Sequence, residues 1–443
     1  LDLGAELIHG EKTCLHRLAQ KTKWELEELI TLAQGDGGPL PAESNKGFGL
    51  FYLGQEKRML TMDSKDPDFV HLNKYLGSLA NLWPAMKHAA NSRGSKAPGP
   101  QSLRDGLKGA GVTDAMMGVA DAGYANTVGA ALEDVGLLGM CFLEHQWEVD
   151  GDRTFVLKGS FGLFVEELCA GLQSCIQTDW PVAKVDYSSP GRVIVTSKDG
   201  KIEEGTKVVC TLPLTVLQDG DVDFSPLLPK KKLTAFQRMG MCHVVKVILR
   251  FERPVLPPLL HGCICSKSFV PEFWFRHLPN VPEGGYTFLA VGFAAGPSAD
   301  AVSALKPEEA LKRAVQQLDD MFRGREWLKG ANGCTGRGDW EDQTTADKRQ
   351  PHKKAGMSTD KTSNIPNFES STLPSSNFVD GLVHDWADEP FVRGGYSCPL
   401  VDFDESTHAD AAAVVGDVLF FAGEHTNILG GMTAHAAINS GKR

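Results

Sequence analysis

The spacing of apolar and polar residues changes several times along the chain, and the changes divide it into elements. Residues 13–34 (TCLHRLAQKTKWELEELITLAQ) have helical composition, and Gly35 to Pro41 form a turn-rich break. A second helical stretch covers 70–90, and SRGSKAPGPQS (92–102) reads as a surface loop. Short helices rich in Ala, Gly and Met are expected from 103 to 140. Ser160 caps a further helix whose Phe161, Phe164, Leu168 and Leu172 fall on one stripe. The period then shortens to two. WPVAKVDY (180–187), RVIVTS (192–197) and KVVCTLPL (207–214) read as a β meander, with Asp199-Gly200 turning between the last two and Pro213 ending the third. HVVKVILRF (243–251) is another strand, and Pro307 opens a helix with Leu311, Val315, Leu318 and Phe322 on one face. Residues 330–375 are polar and lack apolar periodicity, the pattern of a disordered or loosely attached insertion. Order returns at NFVDGLVHDW (377–386), and DVLFFAG (417–423) is a continuous apolar strand near the end.

Composition narrows the possibilities. A chain of 443 residues exceeds one simple domain, and 42% hydrophobic with 23% charged residues is ordinary for a globular protein. A net charge of −11 argues against a nucleic-acid partner and is compatible with a cationic substrate. No apolar run approaches the roughly 18 residues of a membrane span. The ten cysteines have no framework spacing, so reduced thiols and an intracellular setting, cytoplasmic or peroxisomal, are expected, with no metal site. The chain begins at Leu1 on a strand-like LDLGAELIHG and stops at Lys442-Arg443 inside helix-like text, so both ends are expected to be cut from a longer protein.

Chemistry gathers at the carboxyl end. DVLFFAG runs into Glu424-His425-Thr426, then a Gly-rich loop, then TAHAAINSG (433–441), a small-residue helix start. An α/β fold sets a cofactor at the carboxyl end of a strand in this order, and free N–H groups at a helix start suit a negatively charged group. The same order also builds a plain strand-to-helix crossover.

LFFAGEHTN (419–427) resembles the C-terminal FAD motif of the flavin amine oxidase family, which contains polyamine oxidases, monoamine oxidases and lysine-specific histone demethylases. VVCTLPLTVLQ (208–218), FSPLLP (224–229), FQRMG (236–240) and VVKVILRF (244–251) follow the family's middle section in order. The resemblance implies a two-domain α/β fold: a Rossmann-like FAD domain lacking its N-terminal part, and a substrate domain of mixed sheet and helices. The corresponding boundaries are 1–32, 155–235 and 386–443 for FAD, and 33–154 and 236–385 for substrate. The family's dinucleotide fingerprint would lie upstream of LDLGAELIHG, while GAGVTD (109–114) only echoes it and reads as a loop between helices.

Carried over residue by residue, the resemblance places Gly4, Ala5, Val182, Pro213, Gly423, Glu424, Thr433 and Ala434 on the cofactor, with Ala436-Ala437 where the family usually has Gly-Ala. It implies that Lys246 holds a water near the flavin and that His9 faces the substrate. Trp386, Phe391 and Tyr396, in WADEPFVRGGYS, match aromatic positions of the family, Trp386 on the flavin side and Tyr396 as best candidate for an amine cage. Gly395 stands where monoamine oxidases carry the flavin-linking cysteine, so non-covalent FAD is expected. The activity implied is oxidation of a small cationic amine, a polyamine first, with molecular oxygen reduced to hydrogen peroxide. A histone-demethylase-like enzyme and a non-catalytic flavoprotein relic are the alternatives.

Overall fold

The structure is a computed structural model that describes residues 2–29, 48–62, 64–91, 100–151, 153–256, 260–279, 286–323, 373–404, 406–427, 429 and 431–442. The expected break at Gly35 to Pro41, the loop residues 92–99 and the insertion residues 330–372 lie outside these.

The chain opens with β1 (Leu7–His9), α1 (Cys14–Thr22), β2 (Leu26–Leu29), β3 (Phe48–Leu53) and β4 (Arg58–Thr61). Helices α2 (Pro67–Leu76), α3 (Leu79–Asn91), α4 (Leu103–Gly109), α5 (Asp114–Ala120), α6 (Asn126–Val128) and α7 (Leu137–Asp150) follow, with a π-helical turn at Asp121–Ala125. Next come β5 (Thr154–Leu157), α8 (Gly162–Leu168), β6 (Val182–Asp186), β7 (Val193–Ser197), β8 (Ile202–Gly205) and β9 (Val208–Cys210). Then α9 (Leu214–Asp219), β10 (Asp223–Ser225), α10 (Lys230–Gln237), β11 (Met239–Met241), β12 (Val244–Phe251), β13 (Leu260–Ser266), β14 (Glu272–Pro279) and β15 (Tyr286–Ala295). The chain closes with α11 (Pro297–Ser303), α12 (Pro307–Phe322), β16 (Phe378–Asp385), β17 (Ser397–Pro399), α13 (Thr407–Ala412), β18 (Leu419–Phe421) and α14 (Ala434–Ser440).

A seven-stranded sheet, ordered β16-β12-β15-β14-β13-β3-β4, positions the site. Its two faces differ because successive side chains on a strand point opposite ways. On one face Val245, Val247 and Leu249 are wholly buried and share a core with Phe273, Ala290 and the α12 residues Ala310, Ala314 and Leu318. Pro307 starts α12 where its missing N–H costs nothing, as its sequence predicts. The other face carries Lys246, Ile248, Phe293, Trp274 and Glu272, and turns toward the amino-terminal segment. A separate parallel pair joins β9 to β18 (Val208↔Leu419 through Cys210↔Phe421), so residues 211–213 and 422–424 leave the same end.

Local expectations were corrected where tertiary pairing outweighed propensity. Among the described residues of 13–34 only Cys14–Thr22 is helical, because Lys23 turns left-handed (φ 61°) and β2 then pairs with β5. Asp199-Gly200 joins β7 to β8, an unrecognised strand, while β9 leaves the meander to pair with β18. On the predicted stripe Phe161 and Phe164 are buried, but α8 ends at Leu168, so Leu168 and Leu172 are exposed (46% and 51%). Leu318, fully buried between α12 and the sheet, sets the scale of packing there. Leu318→Ala is expected to cost about 2–5 kcal/mol in urea unfolding; a loss under about 1 kcal/mol would refute the packing described.

Candidate active site

A carboxylate immediately before the first strand organises the site. Glu6 is 8% exposed and accepts from Lys246 Nζ at 2.5 Å and Trp274 Nε1 at 2.6 Å, with Arg276 Nη1 at 3.7 Å. Lys246, 3% exposed, also donates to the carbonyls of Gly4 (2.9 Å) and Asp2 (3.1 Å). An ammonium has three N–H bonds, and these three acceptors use them all. Lys246 thereby pins the segment before β1 to the middle of the sheet.

That segment borders interior space, marked by His9, which keeps accessible surface although protein encloses it. Gly4, Ala5 and His9 present accessible surface to it, whereas Glu6, Ile8 and Gly10 are buried. A side-chain carbon on Gly4 would stand 3.2 Å from the Trp386 indole, so glycine lets the ring close on the backbone. Trp386 Nε1 donates to Leu3 O at 3.0 Å. His9 is enclosed by protein although open space adjoins its ring, and burial together with the neighbouring His435 pushes it down to about 4. His435 lies 3.0 Å from Asp150 and begins α14, so β1 and α14 meet at the cleft.

The other end of the chain supplies the opposite side. Thr433 caps α14 by accepting from Ala436 N (3.2 Å), and Ala434 packs on the cluster containing Ile8. Among the described residues, the N–H groups of Ala434 and His435 have no partner. Glu424 takes up N–H from Ser397 (3.0 Å) and Met432 (2.7 Å) and the Ser397 hydroxyl (2.7 Å). It thereby fixes Met432 in a left-handed backbone (φ 70°), the kind of local strain that a surrounding structure must hold in place. Gly423, whose positive φ of 143° favours glycine, and Glu424 follow the end of β18, and Pro213, capping α9, follows its parallel partner β9. Val182 opens β6 and packs onto the main core.

Aromatic residues line the cleft above Lys246. Tyr396 and Trp386 cluster with Trp274 and Phe293, whose rings are 5.7 Å apart, and Tyr396 donates to Thr127 O. Phe391, by contrast, is 57% exposed beneath Lys198 and stands outside. Glu272 lies on the same sheet face, in the row Lys246–Phe293–Glu272 set by the register. Desolvation pushes its carboxyl up to about 7, offset in part by a Thr127 hydrogen bond. The same burial, with nearby Cys242 and Glu272, holds the Tyr396 phenol well above its ordinary value, so it stays neutral. Glu6, Trp274 and Glu272 were missed in the sequence; a lone acid at the edge of an apolar run, as in GAELIHG and VPEFWF, was the available signal.

A profile described as flavin containing amine oxidoreductase matches residues 1–360 and 369–443. The chain belongs to this family. Curated relatives include lysine-specific histone demethylase 1 homolog 2 of Oryza sativa subsp. japonica, 26% identical over 303 residues, 68% of this chain and 33% of that protein. Protein FLOWERING LOCUS D of Arabidopsis thaliana is 25% identical over 342 residues, 76% of this chain and 37% of its own length. The chain thus spans about a third of the length of these relatives. Among solved structures, wild-type putrescine oxidase bound to putrescine superposes over 100% of this chain and 87% of its own (TM-score 0.71, 14% identity). Cyclohexylamine oxidase from Brevibacterium oxydans IH-35A does so over 100% and 86% (TM-score 0.69, 15% identity). The chain has the family's two-domain α/β fold, and among the described residues no helix is long and apolar enough to cross a membrane.

A flavin fits the residues present. Among the described residues, unpartnered N–H groups open α14, and Lys246 with Arg276 outweighs Glu6 in buried charge.

Two measurements check the site. Glu6→Ala strands the Lys246 ammonium and is expected to cost about 3–5 kcal/mol, most of it recovered on adding Lys246→Met; a near-neutral single variant would contradict the pair. Because His9 is lowered, its neutral form stabilises the fold, and that contribution falls as pH drops from the ordinary 6.5 toward about 4. Ring NMR should show His9 neutral until pH approaches about 4, and a midpoint near 6.5 would refute its enclosure.

Proposed function

We propose that this chain oxidises a small cationic amine, a polyamine, using non-covalently held FAD and molecular oxygen, with an imine (hydrolysed to an aldehyde) and hydrogen peroxide as products. The observation that carries the reading is the single row on one sheet face, where Lys246, Phe293 and Glu272 lie side by side with Trp274, Trp386 and Tyr396 around them. Bound flavin supplies the electron acceptor for hydride leaving the carbon α to nitrogen.

The chain's own residues divide the remaining work. Residues 1–32, 155–235 and 386–443 form the FAD side, and 33–154 with 236–385 the substrate side. Gly4, Ala5 and the start of α14 at Thr433 and Ala434 hold the flavin ring, with the net positive charge of Lys246 and Arg276 against Glu6 favouring its reduced, anionic form. Gly423, Glu424, Pro213 and Val182 serve the rest of the cofactor. Trp386 and Tyr396 hold the reacting nitrogen between π faces, which orient it without taking its lone pair. His9, neutral above pH of about 4, borders the amine without competing as a cation. Glu272, near two strand spacings or about 10 Å from Lys246, meets a second ammonium, which favours a di- or polyamine.

A demethylase-like reading has one specific support, the histone demethylases among the curated relatives. Peroxide release on the flavin-loaded protein separates them: spermine or spermidine turnover is expected, and a signal only with methylated histone peptide would overturn the polyamine reading. Glu272→Gln should raise the KM for 1,4-diaminobutane about tenfold or more while sparing butylamine, since one charge-assisted contact is lost. The wild-type diamine KM should likewise rise as pH falls below about 7, where Glu272 takes up its proton. Tyr396→Ala should weaken binding of both amines, and an unchanged KM would remove it from the cage.

A further inference from the structure

His243 stands one residue before β12, outside the cleft, and its ring is held at both nitrogens. Nδ1 lies 2.7 Å from Asp300 Oδ1 on α11, and Nε2 lies 2.9 Å from Asp385 Oδ1 at the end of β16. Both partners are carboxylates, so both nitrogens donate and the geometry describes an imidazolium. Ser303 completes the cluster, donating to Asp385 Oδ2 with its Oγ 3.3 Å from Nε2.

The two ends of this clasp lead into the cleft. Asp385 Oδ1 also accepts from Ala387 N at 2.8 Å, closing the turn that carries Trp386. On the other side Cys242 N donates to Tyr396 O, and Gly395 N to Cys242 O, both at 2.8 Å. One ring therefore joins the backbone that carries Tyr396 to the turn that carries Trp386.

We propose that His243 is a positioning residue for the amine cleft: its doubly bonded ring sets the turn of Trp386 against the strand of Tyr396, and loss of its proton loosens the two aromatic walls. This rests on reading those rings as the amine site. A neutral imidazole has one N–H, so one carboxylate faces a lone pair and lets go, and the surviving contact is weaker by roughly half. Asp300 is 74% exposed and Asp385 15%, so the α11 tether is the cheaper one to release. Among the described residues, Asp300 of α11 and Asp385 of β16 are the charged groups facing the ring, while the adjacent Cys242 thiol is turned to Val128 O at 2.9 Å. Burial alone would lower the ring's affinity for protons, but the two carboxylates outweigh it and raise it above the ordinary value. The sign follows: the clasp is complete below pH 6.5 and is lost as pH rises through the raised value, on the side opposite to the acid loss at Glu272.

The test follows the Trp386 indole N–H of the full chain by NMR, assigned from its disappearance in Trp386→Phe, together with the His243 ring. From roughly pH 6 to 10 the two signals are expected to move with one midpoint. His243→Asn should abolish the indole response and lower affinity for 1,4-diaminobutane in calorimetry ~10-fold at neutral pH, while His243→Arg, whose charge does not titrate, keeps wild-type affinity at neutral pH. An indole signal that ignores the His243 titration, or Asn-variant affinity within about twofold of wild type, overturns the proposal. Should the wild type bind no diamine at any pH, the amine reading falls, and the clasp stands or falls on the indole resonance. If His243→Asn does not fold, the wild-type titration decides.

Discussion

The buried contact between Glu6 and Lys246 is the interaction on which the rest of the site depends. Either charge alone would be very costly in that interior, and together they remain tolerable only because Trp274, Arg276 and two backbone carbonyls complete their hydrogen bonding. The partners are 240 residues apart in sequence, so the contact commits the chain's first residues to the centre of a sheet built much later. Gly4 and Ala5 then border the cleft, Trp386 closes on Gly4, and β1 meets the start of α14. An ion pair of this kind is weak support for stability and strong support for register, because few other arrangements satisfy both charges.

The electrostatics of the cleft follow from where the acids stand. Near Gly4 two cations share one carboxylate, which leaves positive charge where a reduced flavin would rest. Two strands away Glu272 has no ion-pair partner among the described residues, and desolvation pushes its carboxyl up to about 7. Aromatic residues cluster between the two, and on the proposed reading they would hold an amine between the acid and the cofactor. Glu424 sits outside this gradient. Its oxygens accept from Ser397 and Met432, which ties the Tyr396 strand to the approach of α14.

Much of this was legible in the residues. LFFAGEHTN marked a strand and a turn, TAHAAINSG the helix start, and the lysine in VVKVILRF stood out because a charge in an apolar strand must find a partner. What could not be read was which partner. Glu6 is close to Lys246 only after seven strands have paired in one register, and periodicity carries no such distance information. The same limit hid the true pairing of β9, whose partner lies more than 200 residues on, and the end of the first helix at Lys23. Phe391 illustrates the converse: an aromatic in a matching string that the fold leaves on the surface.

The most direct measurement of the central claim is anaerobic reduction of the flavin-loaded chain. On mixing with 1,4-diaminobutane without oxygen, the account predicts bleaching of the flavin's visible absorbance, with recovery and stoichiometric peroxide on admitting air. An oxidised flavin that stays unbleached by di- and polyamines would contradict the assignment of this cleft to amine oxidation.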